Sequence, residues 1–108
     1  MAQPRLRADI WVAAYLRRLG LENIPAYVVA HGDDSAGAVM VKCATLDGQA
    51  TLWWREWDFE TDTRPFVQTA AGAERDIDAR IARDRATDPD LWVIEIEERS
   101  GRTLLADI

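Results

Sequence analysis

The pair Asp47-Gly48, set between the apolar runs "GAVMVKCAT" (37–45) and "QATLWWREW" (49–57), constrains the fold more than any other feature of this chain. A two-residue type I′ turn needs positive φ at both central positions. Asp-Gly supplies it, so two β-rich runs around that pair predict an antiparallel hairpin. With Asp47 and Gly48 as the loop, Cys43 falls opposite Leu52, Lys42 opposite Trp53, Val41 opposite Trp54 and Met40 opposite Arg55. Side chains alternate along a strand. Val39, Val41, Cys43, Leu52 and Trp54 then share one face, while Met40, Lys42, Trp53, Arg55 and Trp57 share the other.

Tryptophan therefore leaves both faces of the hairpin, and three of the chain's five tryptophans lie between positions 53 and 57. The first face reads as core. The second mixes broad apolar side chains with two cations suited to stacking on indole. A small single sheet keeps one dry face, so this second face calls for a cover: a second copy, a protein partner, or the chain's own connection from Asp58 to Thr69.

The rest of the chain supplies the other layers. Ala8, Val12, Tyr15, Leu16 and Leu19 recur at helical spacing from about Pro4 to Leu19, with Gly20 as the stop. "AYVVAH" (26–31) reads as a short buried strand and "GDDSA" as a turn. "PFVQ" (65–68) is a short strand that Pro65 confines to an edge or a strand start. Ile77 and Ile81 mark a second helix over about Ala71 to Ala86, with Asp76, Arg80 and Asp84 spaced as four-residue ion pairs. Pro89 ends it by holding Asp88 extended, and "LWVIEIE" (91–97) follows as a strand. The order α-β-β-β-(β)-α-β predicts one α+β domain over residues 1–108, a mainly antiparallel sheet with two helices packed on one face.

Composition narrows the function. A net charge of −6 with acids and bases interspersed argues against nucleic acid, which needs a clustered basic face. The apolar runs are too short for a membrane span, and "MAQPRLRADIW" meets charge before it builds the core of a secretory signal. The single cysteine, Cys43, excludes an internal disulfide. Together these point to the cytoplasm, without membrane or nucleic-acid partners.

Several stretches carry a resemblance: Gly32-Asp33 followed by Ala36-Gly37-Ala38-Val39, then Leu46-Asp47-Gly48, then Asp88-Pro89-Asp90-Leu91-Trp92-Val93-Ile94-Glu95. The chain resembles, over nearly its whole length, the domain of unknown function 1491 family, short uncharacterised alphaproteobacterial proteins. The resemblance implies a compact cytoplasmic bacterial protein and supplies no catalytic residue.

Three groups of side chains could carry chemistry. His31, Asp33 and Asp34 offer ligand types that zinc or manganese accept, yet groups so close around a tight turn diverge, and Asp and Gly there serve the turn itself. Asp58, Glu60 and Asp62 lack the glycine and spacing of a calcium loop. Cys43 points inward beside Val41 and Leu52, where a thiol is unreactive. No glycine-rich phosphate loop, Gly-x-Ser-x-Gly elbow or His/Cys cluster is present, so no catalytic residue, cofactor or metal is assigned. The expected function is a non-catalytic interaction module that self-associates or docks a protein through Met40, Lys42, Trp53, Arg55 and Trp57. The alternative is a small-molecule binder or enzyme with a pocket near His31, Asp33 and Asp34, between sheet and helices.

Overall fold

A computed structural model describes residues 7–55 and 65–107. Its elements run α1 (Ala8–Leu21), β1 (Ala26–Ala30), β2 (Val39–Ala44), β3 (Gln49–Arg55), β4 (Phe66–Ala73), α2 (Glu74–Thr87) and β5 (Trp92–Glu97), followed by a short 3-10 turn at Leu105–Asp107. The fold is α+β: two helices and one mixed sheet of five strands in the order β1-β5-β2-β3-β4. β2, β3 and β4 form an antiparallel meander. α2 then carries the chain back across the sheet, so β5 runs parallel to β2 and antiparallel to β1, and lies between them.

The helices lie on opposite faces, not on the one face expected. α1 buries Trp11, Val12, Tyr15 and Leu19 against Val39, Val41, Cys43, Trp92, Ile94 and Ile96. α2 buries Ile77 and Ile81 against Met40, Ala50, Leu52, Leu91 and Val93. All six residues of β2 are buried, and a strand that is dry on both sides requires a layer on each. That is what tryptophan on both faces signalled.

The hairpin is slipped by one residue from the expected pairing. Met40 faces Trp54, Val41 faces Trp53, Lys42 faces Leu52 and Cys43 faces Thr51. The Thr45 N–H donates to the Gln49 carbonyl at 3.2 Å, leaving the three-residue loop Leu46-Asp47-Gly48 with φ of 63° at Leu46 and 86° at Gly48. Asp47 stays in the loop, but its carboxylate accepts from Thr45 Oγ1 at 2.5 Å and from the Gln49 N–H at 3.1 Å. Those two bonds brace the three-residue loop from within. A slip of one residue exchanges the faces of the whole strand, so Trp53 enters the α1 layer and Trp54 the α2 layer.

The helix ends are tied by tertiary contacts. The N–H groups of Ala8 and Asp9 donate to the carbonyls of Ser35 and Asp34, at 3.2 and 2.9 Å, because Arg7 supplies no side-chain cap. α2 starts at Glu74, later than expected, because β4 runs through Ala73; the Glu74 N–H then donates to the Gly48 carbonyl at 2.9 Å. Asp88, ahead of Pro89, is extended with φ −126° and ψ 96° and closes α2 as the proline requires. Among the described residues no helix is long and apolar enough to cross a membrane.

Candidate functional site

The loop after β1 and the segment before β5 lock together at one corner. A Cβ on Gly37 would sit 2.5 Å from the Asp90 carbonyl oxygen and 2.8 Å from Trp92 Cδ1, and one on Gly32 would meet the same two groups. Only glycine allows that approach. The backbone bonds explain it: the Asp33 N–H donates to the Asp90 carbonyl at 3.0 Å, the Trp92 N–H to Ala38 at 2.8 Å, and the Trp92 indole N–H to the Asp33 carbonyl at 2.8 Å. Two stretches far apart in sequence and rich in glycine, aspartate and proline thus form one rigid corner.

His31 stands at its rim. Its ring lies 4.1 Å from the Trp92 ring, and Nε2 is 2.8 Å from Asp34 Oδ1. Asp33 is turned away into the loop, where one carboxylate oxygen accepts from the N–H groups of Ser35 and Ala36 at 3.1 and 2.8 Å. So the structure brings His31 and Asp34 together and gives Asp33 to turn chemistry. Among the described residues no three His, Cys, Asp or Glu side chains converge as a metal site. Asp58, Glu60 and Asp62 lie outside the described residues. Beside His31 a groove of about 520 Å³ opens between β1 and the C-terminal half of α2, bounded by Val29, Ala82, Arg85, Ala86 and Pro89.

The five side chains expected to form one docking face do not share a face. Met40 and Lys42 are buried beneath α2, while Trp53 and Arg55 are half-buried on the α1 side. Trp57 lies outside the described residues. The cation–indole stacking does occur, with a different partner: the Arg55 guanidinium lies 5.1 Å from the Trp11 ring and 4.9 Å from the Phe66 ring. Trp11 itself stacks between Tyr15 and Phe66, at 5.0 and 5.1 Å.

Lys42 is only 2% exposed, and its ammonium donates to Glu74 at 2.7 Å, Asp78 at 2.7 Å and Glu95 at 3.2 Å. Burial alone would lower its pKa. The hydrogen bonds it donates to Asp78, Glu74 and Glu95 outweigh that and hold the lysine above its ordinary value. It fastens the first turns of α2 to β2 and β5. Cys43 is buried, as its inward direction implied, and burial pushes its thiol up to about 11, so no thiolate nucleophile forms near neutrality. Burial also raises Tyr15, whose hydroxyl donates to the Thr103 carbonyl at 2.8 Å.

Sequence reasoning missed one surface. Tyr27, Val28 and Val29, on the outermost strand β1, are 52%, 43% and 46% exposed, half of the large apolar side chains exposed among the described residues. "AYVVA" reads as a buried strand because it carries no charge. The signal was there in Pro25, which precedes the strand as at many sheet edges.

Residues 6–106 match the family described as "Protein of unknown function (DUF1491)". The chain belongs to that family. A family member from Caulobacter crescentus CB15, solved by crystallography, is 42% identical, covers 93% of this chain with 92% of its own, and superposes with a TM-score of 0.80. An NMR structure of a DUF1491 protein from the same organism is 40% identical over 95% of this chain and 94% of its own, with a TM-score of 0.83. Protein Atu0922 from A. tumefaciens is 32% identical, covering 94% of this chain and 93% of its own at a TM-score of 0.79. No curated protein matches. The family carries no assigned function, so the residues themselves must suggest one.

Proposed function

We propose that this DUF1491 protein is a non-catalytic interaction module that pairs with a second copy of itself along the outer edge of β1. The observation that supports this reading is the character of that edge: Ala26–Ala30 holds no charge and no proline, and Tyr27, Val28 and Val29 are roughly half exposed. An unpaired strand edge presents a row of N–H and C=O groups that template a further strand, and soluble proteins usually blunt such edges with lysine, proline or bulges. β1 has one such device, the irregularity between Val28 and Ala30, which confines regular pairing to a short stretch. Antiparallel self-pairing about a two-fold axis near Val28 sets apolar against apolar and brings no like charges together. The contact is small, so dissociation constants of about 10–100 µM are expected.

Sedimentation velocity from about 5 to 500 µM brackets that range. The wild-type protein is expected to shift from monomer towards dimer, and Val29→Lys to stay monomeric with an unchanged melting temperature. A wild-type monomer throughout sinks the self-association reading, and a Val29→Lys dimer moves it off β1. The groove of about 520 Å³ beside His31 favours a second reading, a small-molecule site between β1 and α2. A thermal-shift screen of metals and metabolites with light scattering separates the two: stabilisation of a monomer that His31→Ala abolishes supports the second.

A further inference from the structure

On the other side of α2 lies a cavity of about 310 Å³ that borders neither β1 nor His31 and meets the groove beside His31 only at Asp88 and Leu91. Its apolar walls are Met40 and Trp54, which face each other across β2 and β3, and Leu91, just ahead of β5. The polar side comes from Arg80 and Asp84, one turn apart on α2. Arg80 Nη1 donates to the Thr69 carbonyl at 3.3 Å, which anchors the guanidinium to β4. Its Nε is 3.7 Å from Asp84 Oδ2, an ion pair too long to be a hydrogen bond. A guanidinium has five N–H donors and a carboxylate about four acceptor positions, so the pair keeps donors and acceptors for a third group placed against both.

We propose that this cavity binds an uncharged planar heterocycle through a lactam edge. The ligand carbonyl accepts from Arg80, the adjoining ring N–H donates to Asp84, and the ring occupies the space walled by Trp54, Met40 and Leu91. The donor and acceptor of the site stand side by side on one helix, and a lactam presents their complement in the same order. Charge narrows the class further. One guanidinium and two carboxylates, Asp84 and Asp88, border the cavity, an excess of negative charge that disfavours phosphate and carboxylate ligands. Pyrimidine and purine bases with a lactam edge have the required shape, and the volume sits at the lower end of that usual for small-molecule sites.

The test is a set of 15N–1H correlation spectra of the full chain with uridine or guanosine, each up to about 10 mM, a ceiling that detects millimolar affinity. Shifts are expected at the Trp54 indole and along 80–91. They should weaken about tenfold or more with 3-methyluridine and 1-methylguanosine, in which the ring N–H is blocked, because a site built around a hydrogen bond rejects the analogue that lacks it. Asp84→Ala, on the helix surface, should keep a dispersed spectrum and lose the same response. The proposal is overturned if neither nucleoside shifts these resonances, if the methylated compounds bind equally well, or if Asp84→Ala leaves binding intact.

Discussion

Replacing Lys42 by Met keeps the apolar stem in its slot and removes the charge that three carboxylates converge on. In the native protein Glu74, Asp78 and Glu95 each place an oxygen 2.7, 2.7 and 3.2 Å from one nitrogen, so no two of these oxygens are more than about 6 Å apart. Without the ammonium they repel. At about 5 Å in a water-like dielectric each pair costs roughly 0.8 kcal/mol, and three pairs therefore cost somewhat over 2 kcal/mol. Breaking a fully buried pair costs about 3–5 kcal/mol, but these carboxylates are 38%, 55% and 27% exposed and can turn towards water, which lowers the figure. The expected loss is about 2 kcal/mol, or roughly 10 °C in melting temperature for a domain of this size. Urea unfolding followed by tryptophan fluorescence measures it at low salt and again near 1 M NaCl, where the Debye length falls to about 3 Å and part of the loss should return. The folded pKa of Lys42 is raised, so its contribution is whole below the ordinary lysine range and fades only as pH climbs through the raised value. The gap between wild type and Lys42→Met should accordingly be constant from pH 7 to 9. A loss under about 0.5 kcal/mol, or one indifferent to salt, refutes the electrostatic fastening.

Three further outcomes test other parts of the structure. Gly37→Ala places a Cβ 2.5 Å from the Asp90 carbonyl, a backbone atom that cannot swing aside, and should cost about 2–3 kcal/mol by denaturant titration. Cys43, buried with a thiol pKa of about 11, should resist iodoacetamide at pH 8 in the folded protein and react at once in urea; rapid labelling of the native state would contradict the inward placement. The Thr45 hydroxyl and the Gln49 N–H hold Asp47 below the usual carboxylate range, so its contribution is present above that range and disappears as pH falls through the lowered value. Asp47→Ala should therefore flatten the acid limb of the stability profile, and an unchanged limb would show that the loop bonds contribute nothing.

The sequence by itself determined the order of the elements and the need for a cover on both faces of the hairpin. Helical spacing placed Val12, Tyr15 and Leu19 in the core, Pro89 ended α2, and Asp47-Gly48 marked the hairpin. These are local properties: a period, a fixed φ, a permitted positive φ. Tryptophan on both sides of β3 said that two dry faces exist, and it said so without regard to register. What covers each face was settled only in three dimensions. The extra loop residue, stabilised by Asp47, decided that Trp53 goes under α1 and Trp54 under α2, because a strand whose alternate positions are both apolar carries no pattern that sets its register. The place of β5 between β1 and β2 was likewise beyond reach, because parallel pairing joins segments some fifty residues apart with no turn to fix it. That insertion leaves β1 at the sheet's edge and gives Lys42 its third carboxylate from Glu95. The candidate sites share this dependence: the groove beside His31 and the cavity between Trp54 and Arg80 each draw their walls from α2 and from strands on either side of the sheet, so they exist only once the crossover is made.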